Sequence, residues 1–183
     1  MGGPSDGSPA RLRILYEDEW VVAVDKQAGI IVHGDGTGTA TLTDLVLRHL
    51  DDGTVSPREK SCRVQALQRL DRETTGIVLF SKCKETQAAF DRLIAERRIA
   101  KRYLAIVRGR FPHGTQAYHG AIGRDRHDSR RMRVSRTGRP ALTEVRPLAF
   151  APADAHGPAR SLVAVDLRTG RRHQIRVHLS HAG

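Results

Sequence analysis

Short apolar runs separated by polar, glycine-bearing stretches set the pattern of this chain. Ile14-Leu15-Tyr16 enters the acidic turn Glu17-Asp18-Glu19. Trp20-Val21-Val22-Ala23-Val24 then reads as a buried strand, being short, apolar and rich in β-branched residues. Lys26 and Gly29 end it, and a second run, Ile30-Ile31-Val32, leads to His33. Gly34-Asp35-Gly36-Thr37-Gly38-Thr39 is a loop by composition, and without the Walker lysine spacing its likeness to a phosphate-cradling loop is weak. Leu42, Leu45, Val46 and Leu50 share a helical face, with Thr41 or Thr43 placed to cap it. Asp51 to Lys60, with Gly53 and Pro57, reads as a connection.

A polar loop, Gln68-Arg69-Leu70-Asp71-Arg72-Glu73-Thr74-Thr75-Gly76, runs straight into the apolar strand Ile77-Val78-Leu79-Phe80. Lys84 to Arg98 predicts a helix with Ala89, Phe90, Leu93 and Ile94 inward, and Asp91, Arg92, Glu96 and Arg97 in solvent. Lys101 to Arg108 is a strand closed by Gly109, and 110–123 is irregular, with Pro112, Gly114 and Gly120. Ala141 to Phe150 and Arg160 to Arg168 are two more strands around a proline- and glycine-bearing loop. On a final helix Ile175 and Leu179 share one face, while Arg172, Gln174 and Arg176 project elsewhere.

Charge brings a polyanionic partner into the picture without deciding for it. The 183 residues suffice for one domain with a real core, and they carry a net charge of +11. Most of the excess is arginine, whose guanidinium grips phosphate in a bidentate way and stacks on bases. A G·C-rich genome also inflates arginine, and composition does not choose between the two. Arginines at 124, 126, 130, 131, 133, 136 and 139 are dense enough to suggest an arm along a phosphate backbone, although such runs are usually solvated faces. Cys62 and Cys83 form no CxxC and read as reduced cytoplasmic thiols. No run approaches a membrane span, and residues 1–10 read as a flexible leader. His173 and His178 lack an HExxH frame and a nearby acidic ligand, so no metal is expected.

Candidate chemistry centres on the loop before Ile77. Asp71 lies between Arg69 and Arg72, and a nearby cation holds a carboxylate ionised. Gly76 permits a backbone angle that a side chain forbids. By itself this is also what a surface turn with paired charges looks like.

Four stretches in order make the case more specific. Val24-Asp25-Lys26-Gln27-Ala28-Gly29 with Val32-His33, Arg69-Leu70-Asp71-Arg72-Glu73-Thr74-Thr75-Gly76, Lys101-Arg102-Tyr103-Leu104-Ala105, and Thr169-Gly170-Arg171-Arg172-His173-Gln174-Ile175-Arg176-Val177-His178-Leu179 together resemble the RluA family of pseudouridine synthases, of the ribosomal large subunit type. The likeness runs from Ile14 to the last residue. Gln68 stands where the family usually has His, Gln27 where it has Pro, and Thr75 where Ser is commoner.

The resemblance implies an α+β fold with a mixed, mostly antiparallel sheet, flanking helices and a central active-site cleft. It implies a catalytic domain over 11–183 that is incomplete at its C-terminal end. The implied activity is isomerisation of specific uridines to pseudouridine, in 23S ribosomal RNA first, with transfer RNA or an inactive RNA-binding fragment as alternatives. A basic ribosome-associated protein without enzyme ancestry fits the four motifs poorly. By the same carry-over Asp71 is the catalytic carboxylate, and Arg176 pairs with it and keeps it ionised. Tyr103 stacks on the flipped base and directs the C5 proton, and Arg69 fills the gap that the base leaves. The reaction needs no cofactor or metal. RNA is the expected partner, the membrane is not, and the oligomeric state stays open.

Overall fold

The computed structural model describes residues 12–34, 38–51, 64–96, 98–128, 130–155 and 157–183. The expected leader over 1–10 and most of the connection over 51–60 lie outside them. The chain divides into two compact units, Met1–Glu96 and Arg97–Gly183.

In the first unit β1 (Ile14–Glu17), β2 (Val21–Lys26), β3 (Gln65–Ala66) and β4 (Gly76–Ser81) form an antiparallel sheet in the order β1-β2-β4-β3. Val22 and Val24 of β2 and Val78 and Phe80 of β4 are fully buried, packed with Leu42, Val46 and Leu50 of helix α1 (Leu42–Asp51). Each such side chain contributes about 2 kcal/mol over an exposed position. The cap of α1 is Thr41. Its hydroxyl accepts the Asp44 N–H at 3.2 Å, and the Asp44 carboxylate accepts the Thr41 N–H at 2.8 Å. This reciprocal pair satisfies amides that a helix start leaves open.

Helix α2 (Lys84–Ala95) ends earlier than its apolar spacing predicts, and it is shallowly seated. Phe90, Leu93 and Ile94 are half-buried, whereas Ala89, expected inward, is exposed. Between β4 and α2 the fully buried Lys82 donates to the Glu17 carboxylate and, at 2.7 Å, to the Asp18 carbonyl. Glu17 also meets His49 Nε2 of α1 at 2.7 Å. Burial raises the pKa of Glu17, but the hydrogen bonds from Lys82 and His49 outweigh it and leave the carboxyl below its ordinary range.

The second unit is built on β5 (Lys101–Arg108), β6 (Gln116–His119), β9 (Leu142–Ala151) and β10 (Arg160–Leu167), in the order β5-β10-β9-β6. β10 pairs antiparallel along its whole length with both neighbours. Val145, Val163 and Val165 form a buried cluster with Phe111, while Leu104 and Ile106 of β5 point the other way and are 70% and 74% exposed. β7 (Ile122–Arg124) and β8 (Met132–Val134) make a separate hairpin, so the arginine run is organised around two short strands. β6 and the start of β7 occupy a stretch whose composition reads as irregular. Helix α3 (Gln174–Ala182) carries Ile175 and Leu179, as their spacing predicts.

The architecture is α+β, as expected. Among the described residues every strand pairing is antiparallel, in three sheets, so the mixed sheet expected from the motifs is here antiparallel throughout. No helix among the described residues is long and apolar enough to cross a membrane.

Candidate active site

The Asp71 loop is pinned at both ends by the sheet of its own unit. Before it, Leu67 is buried and donates its N–H to the Leu79 carbonyl at 2.8 Å, and Leu70 packs against the core. After it, β4 opens on Gly76 at φ 121°, an angle that L side chains rarely adopt. The Thr74 N–H donates to the Asp71 backbone carbonyl at 3.0 Å, closing a four-residue turn. Gln68, at the position where a histidine is usual in the resemblance, donates weakly across the neck to the Ile77 carbonyl at 3.4 Å. Asp71 is half-buried, whereas Arg69, Arg72 and Glu73 are exposed.

A second turn backs this one. Gly29, at φ 85°, donates its N–H to the Arg72 carbonyl at 3.0 Å and accepts from Arg72 Nε at 3.1 Å. Arg72 is therefore partly spent on the backbone, with Glu73 also 3.8 Å away, and is not simply a flanking cation for Asp71. Desolvation, and then the positive charge of Arg69, holds the His33 imidazole below its usual range. His33, Gly34, Gly38, Thr39, Thr41, Thr43 and Asp44 border a cavity of about 510 Å³. The Asp44 carboxylate in that lining disfavours a phosphate there, in keeping with the missing Walker lysine.

Tyr103 and Arg176 belong to the second unit. Tyr103 lies on the β5 face that alternates inward and is packed against the Phe111, Val145, Val163 and Val165 cluster. Ile175 and Leu179 of α3 rest on the same cluster, so Tyr103 and α3 share one face of that sheet. Arg176 itself is exposed on α3. Its helix is held by a buried polar network. Gln174 donates from Nε2 to the Leu142 carbonyl at 3.0 Å and to Thr143 Oγ1 at 2.9 Å. Gln174 Oε1 accepts from the Thr169 hydroxyl and the Arg171 N–H, each at 2.9 Å. His178 Nδ1 lies 2.8 Å from Thr143 Oγ1, and its Nε2 lies 2.9 Å from the Gly120 carbonyl. A carbonyl only accepts, so Nε2 carries the proton and Nδ1 accepts from Thr143. His173 precedes the helix at φ 54°, a left-handed conformation uncommon outside glycine.

Residues 20–181, which span both units, match the RNA pseudouridylate synthase family. The chain belongs to that family. It is 34% identical over 94% of its length to an uncharacterized RNA pseudouridine synthase of Bacillus subtilis, covering 54% of that protein. It is 35% identical over 94% of its length to ribosomal large subunit pseudouridine synthase D of Nitrosomonas europaea, covering 47% of it. The chain thus spans about half the length of the curated relatives it matches. Human RNA pseudouridylate synthase domain containing 1 superposes with a TM-score of 0.77 at 27% identity, over 98% of this chain and 69% of that one.

Within this chain, Arg69 and Asp71 share one loop of the first unit, and Tyr103 on β5 and Arg176 on α3 belong to the second. Side-chain pattern alone did not single out Lys26, Thr143, Gln174 and His178 as the groups that hold those elements. Three of them sit inside the motifs, which was the available signal. Thr143 lies in an ordinary strand and carried none.

Proposed function

We propose that this chain is the catalytic domain, over 11–183, of an RNA pseudouridine synthase acting on large-subunit ribosomal RNA in the cytoplasm. Family membership over both units carries the reading, and the relatives named ribosomal large subunit pseudouridine synthase D favour ribosomal over transfer RNA. The net charge of +11 suits a polyanionic substrate.

The reaction breaks the N1–C1′ bond of a uridine, turns the base and joins C5 to C1′. A proton leaves C5 and one is taken up at N1, so atoms balance with no electron or group carrier. The base must leave its stack, at a cost of a few kcal/mol. Asp71 is the catalytic carboxylate, acting at the sugar carbon as nucleophile or as counter-charge. Tyr103 stacks on the base and directs the C5 proton, Arg69 occupies the gap in the stack, and Arg176 binds the substrate as a cation.

Incubation with ribosomal RNA labelled with tritium at uridine C5 tests this directly. Tritium release, followed by mapping of the modified position, is the expected result. Tight RNA binding without release, from protein shown to be folded, would point to an inactive binding module.

A further inference from the structure

The ladder between β5 and β10 carries opposite charges across one end and like charges across the other. Arg102 stands opposite Asp166, and their side chains pair at 3.3 Å. Arg108 stands opposite Arg160, and both are exposed. Like charges directly opposite on neighbouring strands weaken a sheet. Nothing relieves this pair: no ion pair among the described residues includes Arg108 or Arg160. Arg110 adds a third guanidinium at the same end, its Cζ 3.7 Å from the centroid of the Phe150 ring. Phe150 is the ladder partner of Ser161, which fixes the chain on both sides of Arg110. The buried Ser161 hydroxyl donates to the Gly109 carbonyl and accepts the Phe111 N–H, each at 2.9 Å. The Gly109 N–H donates to the Ala159 carbonyl at 2.7 Å. A guanidinium held over a ring keeps N–H groups open to a bidentate acceptor.

We propose that Arg108, Arg110 and Arg160 form a phosphate-binding corner that grips the RNA chain outside the nucleotide being isomerised. An anion between Arg108 and Arg160 removes the repulsion that the bare ladder end carries, and phosphate takes the paired N–H groups of arginine better than other anions do. The corner is separate from the face that holds Tyr103. Arg108 lies about 17 Å along β5 from Tyr103 at the usual rise per residue, and its side chain projects from the opposite face of the sheet. It is also separate from the arginines of the β7–β8 hairpin. The proposal rests on RNA being the substrate, and its test keeps the two ideas apart.

Filter binding of 23S ribosomal RNA, transcribed in vitro and titrated at several salt concentrations, is the measurement. Arg160→Gln should lower the slope of log affinity against log salt by about 0.7, and the triple change of Arg108, Arg110 and Arg160 to Gln by about 2. Arg102→Gln removes the same charge from the far end of the ladder and should leave the slope as it is. Arg160→Glu gives a second readout, because it sets opposite charges across the ladder as Arg102 and Asp166 do. Its urea midpoint should rise while its RNA affinity falls, a combination that a merely structural arginine does not give. An unchanged slope in the triple variant overturns the proposal, and so does an equal loss in Arg102→Gln and Arg160→Gln, which would report bulk charge alone. Should the triple variant fail to fold, Arg160→Glu decides. Binding of poly-L-glutamate that needs the three arginines, with RNA binding that does not, would give the corner to an acidic protein and overturn the proposal. Wild-type protein that binds the RNA without releasing tritium from it would sink the catalytic reading and leave the slope comparison standing.

Discussion

Gln174 Nε2 donates to Thr143 Oγ1 at 2.9 Å, and the same hydroxyl lies 2.8 Å from His178 Nδ1, so one buried threonine on β9 holds two residues of helix α3. Thr143→Val keeps the shape and removes the hydroxyl. It leaves a donor on Gln174 with one partner and His178 Nδ1 with none, and should destabilise by about 2 kcal/mol. The urea midpoint measures this. A change of a few tenths would show that the network is not what holds α3.

Asp71→Asn should remove turnover while RNA affinity changes by a few fold at most. The turn keeps the bond from the Thr74 N–H to the Asp71 backbone carbonyl, which the substitution does not touch. Single-turnover tritium release and filter binding on the same preparation are the measurements. Release at the wild-type rate would remove Asp71 from the chemistry.

Tyr103→Phe should slow the reaction by roughly 100-fold, the usual scale of a missing proton-transfer group. The ring remains packed on the cluster that holds Val145 and Val163, so the fold should persist and RNA affinity should barely move. An unaltered rate would reduce Tyr103 to a packing residue.

The β7–β8 hairpin and its flanks carry the dense arginines, but Arg130 and Arg131 pair with Asp128, and Arg133 lies 3.9 Å from Asp125. Reversal to glutamate at Arg124, Arg126, Arg136 and Arg139 avoids those pairs. Affinity for RNA should fall, and the slope of log affinity against log salt should drop by about 0.7 for each single-strand phosphate that is no longer neutralised. If titrations at several salt concentrations give the same slope, the phosphate-binding surface is elsewhere.

Acid should weaken the first unit through Glu17. Its folded pKa lies below the ordinary 4.5, so its contribution is present above that value and is lost as pH falls through the depressed one. Urea midpoints measured from neutral pH downward should show this loss, and Glu17→Gln should blunt it. Glu17→Ala, which strips the buried Lys82 of its counter-charge, should cost about 3 kcal/mol at neutral pH. An acid loss identical in wild type and Glu17→Gln would exclude this carboxyl as its source.

The amino-acid order by itself determined the elements whose stabilising pattern is local. β5 and β10 are short, mostly apolar runs bounded by charged residues, and α1 carries its cap and apolar face within one short segment, so their boundaries were legible to within about two residues. The motif order likewise pointed to Asp71, Arg69, Tyr103 and Arg176 and to the family. Tertiary structure decided what rests on distant partners. Lys26 reads only as the end of a strand and is buried because carbonyls 46 and 48 residues later converge on it. Gln174 reads as a projecting polar residue and is buried because Thr143 and the Leu142 carbonyl meet it. β6 looks irregular and becomes a strand only by pairing with β9. Periodicity records the side of an element that faces a core, whereas a buried hydrogen bond has no partner until the chain has folded back on itself.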